Sequence, residues 1–329
     1  MAFHVNIRRP LILLFKLAVS AFFIAMILRF ARASDIVKNF SNLNIPYLIS
    51  LIPFAVLIIW ISCVKWKLLI HPGREKVSVT YLMRLYLLGY FFNNFLPSMV
   101  GGDAARGYYL GRRLDTYKAA YLSVFLERLT GLFALITLVA VLALGNHPLV
   151  QHAGIRVSLI LLTLGLIAGV IAVFTRPLIH GLLRLLPARL DKLRDKLLLA
   201  HDALTSFRQQ PGEFAVVLLL SLMFHVFAGV NVYLACRALN NSPALLDVVL
   251  VTPLIMIVSM LPISLNGAGV WEGSFAFFLA LIGVPESIAV SAALLLRLKT
   301  VILSVFGWFV YLVNREKPKA PTDVLGKET

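Results

Sequence analysis

The sequence predicts an all-α fold: a polytopic transmembrane helical bundle of about six spans plus two broken, re-entrant hairpins, arranged as an inverted repeat. Three observations predict it. Of 329 residues, 60% are hydrophobic and the mean hydropathy is +0.89, more apolar surface than a water-soluble domain of this size could cover. Only 14% are charged, where about a quarter is usual. The apolar residues gather into runs of a length that crosses a hydrocarbon core of about 30 Å as helix, without the alternation of barrel strands.

Six runs read as spans: roughly 11–30, 45–64, 120–144, 156–175, 213–236 and 288–313. Arg8 and Arg9 precede the first, as in a signal peptide, but no small-residue cleavage site follows cleanly and the run reads as a retained span. Two further apolar segments, 80–103 and 247–285, are interrupted. Each has a Leu-Pro pair (Leu96-Pro97, Leu261-Pro262) followed by glycines, Gly101 and Gly102 in the first, Gly267 and Gly269 in the second. Proline removes a backbone donor and glycine weakens a helix. Unwound backbone survives at membrane depth only inside protein or beside a wet cavity, so both segments are expected to be hairpins or broken helices.

The formal net charge of +16 and pI of about 10.1 would suggest nucleic acid in a soluble protein. Here the basic residues lie between apolar runs, as the positive-inside rule expects, with anionic lipid attraction as a second role. Segments 65–79, 104–118 and 176–212 and the tail are basic, while 145–155 lacks Lys and Arg. Both termini are therefore expected to be cytoplasmic, and the two hairpins to enter from opposite faces. Arg29, Arg32 and Lys38 in the outer segment 29–44 run against that rule. Residues 1–314 read as one transmembrane domain, with an amphipathic cytoplasmic-surface helix over 178–210 and a polar, disordered tail at 315–329. Cys63 and Cys236, both in apolar runs, read as small packing residues.

The two broken segments echo one another. Asp103 follows the first glycine pair and Arg128 lies 25 residues later; Glu272 follows the second glycine group and Arg297 also lies 25 residues later. Such repeats place substrate sites at their interface. Ionisable groups in spans are costly and face the bundle interior, paired or wetted. Arg106, Arg128, Arg297 and Lys299, with the neutral Asn94 and Asn266, are candidate headgroup ligands, since a phosphate cannot cross hydrocarbon with its charge unmatched and arginine presents a planar fork to phosphate oxygens. Asp103, Glu127 and Glu272 are countercharges or proton carriers. His225 is a further proton-carrier candidate, better read as a packing residue. For any single charge a structural staple is the plainer reading. No Walker A loop, dinucleotide fingerprint or His-Glu-x-x-His is present, so neither an enzyme nor a cofactor is expected.

The stretches "FFNNFLPSMVGGDAARGYYLGRR", "ERLTGL" and "LPISLNGAGVWEGSFAFFLALIGVPESIAVSAALLLRL" resemble the lysylphosphatidylglycerol synthase transmembrane-region family, flippase-like integral membrane proteins. The resemblance covers about residues 10–313 and implies flipping of an anionic phospholipid or polyprenyl-phosphate-linked lipid across the cytoplasmic (inner) membrane, without the aminoacyltransferase domain of two-part relatives. It carries over Asn94, Pro97, Gly101, Gly102, Asp103, Arg106, Glu127, Arg128, Gly267, Gly269, Glu272 and Arg297. Trp271 departs from the pattern, where a basic or small residue is expected. The alternatives are an accessory subunit of a lipid-modifying or envelope glycan-assembly enzyme, or a membrane-embedded lipid transferase. Expected partners are membrane lipids, then a second copy or an envelope enzyme.

Overall fold

The computed structural model describes residues 33–71, 73–95, 101–144, scattered positions between 156 and 168, 211–260, 264 and 267–313. The spans expected at 11–30 and, for the most part, at 156–175, the surface helix at 178–210, the tail, Pro97, Pro262 and Asn266 lie outside the described residues. The described chain is helical: α1 (Ala33–Ser41), α2 (Ile45–Leu68), a 3-10 turn (Arg74–Lys76), α3 (Val79–Phe95), α4 (Gly101–Leu114), α5 (Tyr117–Leu144), α6 (Pro211–Ala238), α7 (Leu245–Ser259), α8 (Val270–Ala280) and α9 (Glu286–Val313). Four of these, α2, α5, α6 and α9, are long and apolar enough to cross a membrane, and they coincide with four of the six expected spans.

α2 and α6 run antiparallel and define the two ends of the bundle. At one end the Asn44 amide donates to the Ala238 carbonyl at 2.8 Å, and Asn240 Nδ2 donates to the Asn42 carbonyl. At the other, Arg74 Nη1 donates to Glu213 Oε1 at 3.0 Å and Arg74 Nη2 to the Leu68 carbonyl at 2.7 Å. Hydrogen bonding to Glu213 raises the affinity of the Arg74 guanidinium for its proton. The sequence sets Arg74 beside Glu75; the fold pairs it with Glu213 instead. We call these the Asn44 end and the Arg74 end.

α3 and α4 form an antiparallel hairpin rooted at the Arg74 end. Its tip is marked by the Gly102 amide donating to Asn93 Oδ1 at 2.8 Å, its base by Tyr81 Oη on the Tyr109 carbonyl at 3.1 Å. The helices approach so closely that a Cβ on Gly102 would lie 2.3 Å from the Gly89 carbonyl oxygen. α7 and α8 form the second interrupted unit, rooted at the Asn44 end: α7 follows α6 there, and α9 starts there, where Asn39 of α1 donates to Ser291 Oγ at 3.1 Å. The hairpins thus enter from opposite ends of the bundle.

Each hairpin has its own apolar core. Leu82, Leu85, Leu88 and Leu110 pack with Ala55, Ile59, Cys63 and Trp66 of α2. Val248, Val251, Ile255, Phe275 and Leu279 pack with α6 and with Ala289, Ala292 and Ala293 of α9. Small residues allow such close approach where no water is available to drive burial. Gly307 of α9 is an extreme case, since a Cβ there would meet the Leu87 carbonyl oxygen at 2.0 Å. Both cysteines are buried and unbridged.

Candidate functional site

The first cluster forms where the tip of the α3–α4 hairpin meets α5. Asp103 lies in the first turn of α4, and Arg106 follows one turn later on the same face. Arg128 grips Asp103 with two bonds, Nε to Oδ2 at 2.9 Å and Nη2 to Oδ1 at 2.8 Å. Arg106 reaches the same Asp103 Oδ1 at 2.6 Å and Glu127 Oε2 at 3.1 Å. Glu127 Oε1 accepts a short hydrogen bond from Tyr86 Oη. The Arg106 guanidinium lies 4.3 Å from the ring centroid of Tyr86 and 4.9 Å from that of Trp66, favourable for a cation over aromatic faces. Glu127 and Arg128, adjacent in sequence, diverge by about 100° around α5 and do not pair with each other.

The two arginines differ in access. The Arg106 side chain is 3% exposed and its fork is filled by two carboxylates, whereas the Arg128 side chain is 55% exposed. Arg106 therefore holds hairpin and span together, and Arg128 presents its outer edge.

The second cluster repeats the plan. The Glu272 carboxylate is divided: Oε2 accepts the Gly269 amide at 2.7 Å, capping α8, and Oε1 accepts Arg297 Nε at 2.7 Å. The chain reaches this cap through Gly267 at φ 71° and Gly269 at φ 83°, backbone that a side chain would strain. Arg297 remains about a third exposed. Lys299, two residues on, is half-buried, with no hydrogen bond or ion pair among the described residues. Trp271 turns its Nε1–H to the Ala293 carbonyl at 3.3 Å and its ring onto Phe275, a packing role. Asn94 Nδ2 donates a short bond to Ser304 Oγ, tying the first hairpin tip to α9. Gly101 opens α4.

Sequence reasoning missed two residues at the first cluster, Lys65 and Tyr86. Lys65 counted as a loop charge beyond a span ending at 64. α2 instead continues to Leu68 and buries Lys65 to 3% exposure, its Nζ donating to the Glu127 carbonyl at 3.2 Å. The available clue was the pattern Lys65-Trp66-Lys67 at an apolar run's end: positions two apart on a helix point about 200° apart, so one lysine had to face inward. His225 Nε2–H donates to the Gly131 carbonyl at 2.8 Å, the packing role expected of it.

Both clusters lie about midway along their helices. Glu127 is ten residues from the start of α5 and Arg297 eleven from the start of α9, roughly 15 Å in each case at helical rise. The description "Lysylphosphatidylglycerol synthase TM region" matches residues 13–307. The chain belongs to the lysylphosphatidylglycerol synthase TM-region family. It is similar to a UPF0104 membrane protein of Methanocaldococcus jannaschii, 25% identical over 92% of this chain and 94% of the relative. A UPF0104 membrane protein of Methanothermobacter thermautotrophicus is 23% identical over 90% of each chain. No solved structure matches. This member of the TM-region family is a multi-pass membrane protein in which each half joins a hairpin carboxylate to an arginine of the following span.

Proposed function

We propose that the chain moves an anionic, phosphate-bearing lipid between the leaflets of a cytoplasmic membrane, with its Arg74 end on the cytoplasmic side. The observation that carries this reading is a charge imbalance. Among the described residues, the first cluster holds Lys65, Arg106 and Arg128 against Asp103 and Glu127. The second pairs Arg297 with Glu272 one to one, and Lys299, two residues on, points about 200° away around α9. The first cluster thus has one cation in excess, about midway along its helix. An unmatched charge there is costly, and an incoming anion would relieve the imbalance. Arg128 and Arg297, the accessible members, are the groups that would meet its phosphate.

The surroundings of Arg297 favour an amphiphile over a free anion. Val301, Val305 and Trp308 follow it on one face of α9 at helical spacing, each more than 40% exposed. With Phe91, Asn94 and Ser304 they line an apolar groove of ≈ 240 Å³. A phosphate at Arg297 would leave an acyl or prenyl chain lying along that groove.

The test is a proteoliposome assay following a fluorescent phosphatidylglycerol between leaflets. Arg128→Ala and Arg297→Ala are each expected to slow transfer at least tenfold, in keeping with a lost charge-assisted phosphate contact, while remaining monodisperse. Wild-type transfer in both would exclude these arginines, and no transfer by the unmodified chain would remove the proposal.

A further inference from the structure

Away from the two central clusters, the base of the first hairpin holds an open depression of ≈ 510 Å³ whose lining includes Lys67, Lys76, Arg84 and Arg113, with Glu75 as the acidic member. Four cations against one carboxylate repel one another, yet the fold does little to neutralise them. Lys67, Lys76 and Arg84 make no side-chain hydrogen bond or ion pair among the described residues. Among the described residues Arg113 donates only Nε, to the Lys76 carbonyl at 3.4 Å. The first turn of α3 borders the depression through Ser78 and Thr80. Ser78 Oγ caps the Tyr81 amide, while other first-turn amides lack acceptors within the helix, and a helix N-terminus favours an anion.

Depth decides what kind of anion. Lys67 is the penultimate residue of α2, and Lys76 closes the turn that leads into α3. The depression therefore sits where apolar helices end, the level of lipid headgroups. Arg84 lies further along α3 by about 6 Å of helical rise beyond Thr80, level with the upper reaches of a headgroup rather than with open water. Gly73, at φ 99°, shapes the turn and rests against Leu114 at the end of α4, so Lys76 and Arg113 are set by the fold and not by chance side-chain drift.

We propose that this depression is a phospholipid phosphate site, separate from the central clusters, that docks one anionic lipid at the base of the first hairpin. The four cations would face the phosphate, with Glu75 the one acidic side chain in the lining. The proposal concerns binding alone and stands whether or not the central clusters transport lipid.

Native mass spectrometry of the detergent-solubilised full chain, titrated with phosphatidylglycerol, tests it. Lys76→Gln combined with Arg113→Gln should weaken binding of one phosphatidylglycerol by roughly tenfold or more at low salt, from the loss of two surface cations. The loss should persist in an Arg297→Ala background, separating this site from the central one. Should the double variant not remain monodisperse, Arg84→Gln, which breaks no side-chain hydrogen bond or ion pair among the described residues, should itself weaken binding measurably. Unchanged phosphatidylglycerol binding in folded variants would overturn the proposal. So would displacement by equimolar inorganic phosphate, which would make it a free-anion site, or preference for an acidic polypeptide such as polyglutamate, which would make it a protein-docking surface.

Discussion

At the scale of single residues, Arg106 and Arg128 bind the same carboxylate and yet have different consequences when removed. Arg106 is enclosed, between two aromatic rings and two carboxylates. Deleting it leaves the buried Glu127 carboxylate without its direct ion-pair partner, and breaking a buried pair from one side costs about 3 kcal/mol or more. Arg106→Ala should therefore lower the temperature of unfolding or aggregation sharply, whereas Arg128→Ala, whose side chain is half exposed, should barely move it; a fluorescence-detected thermal melt on both variants checks the contrast. The sequence marked Arg106 and Arg128 as equal candidates, because identity and spacing carry no measure of enclosure. The partners of Lys65 and Tyr86 were illegible for a related reason. The two residues join the cluster through contacts across 62 and 41 residues, and nothing local to either announces the partner.

At the scale of elements, the apolar runs and the matched 25-residue intervals were readable, since helix length and hairpin interruption are local properties of composition. The short helix α1 was not, lying in a polar stretch that reads as loop. Closeness between elements was also hidden, although it rests on glycines visible from the start. Gly307→Ala places a methyl group against the Leu87 carbonyl, which cannot yield without moving α3 from α9. A loss of about 1–3 kcal/mol is expected from such overpacking. Gly212→Ala, where a methyl group meets nothing within 4 Å, should leave stability unchanged or slightly raised. Equal melting temperatures for the two variants would contradict the packing described for α9.

At the scale of the whole molecule, the sides on which segments emerge are fixed relative to one another. The Asn44–Ala238 contact and the Arg74–Glu213 pair mark opposite ends of α2 and α6. Substituted cysteines at Lys76 and Ser242 should accordingly react with an impermeant maleimide from opposite sides of sealed vesicles, Lys76→Cys from the cytoplasmic side. Cys63 and Cys236 are buried and should not interfere. Labelling of both from one side would require a different path for α2 or α6. Charge asymmetry in the sequence had likewise put these two segments on opposite sides, because loop composition and topology are coupled through membrane insertion; what it could not supply was which segments share an end by direct contact.

Asp103 and Glu272 each hold two tethers, one of them internal to their own hairpin: Arg106 for the former, the Gly269 amide for the latter. An arginine that let go to clasp a phosphate, as proposed above, would therefore not strand a naked carboxylate in a dry place. The outer tether could be traded while the inner one kept the anion satisfied, so under the proposed function a swap of partners would be inexpensive in both halves and reversible once the visitor departed.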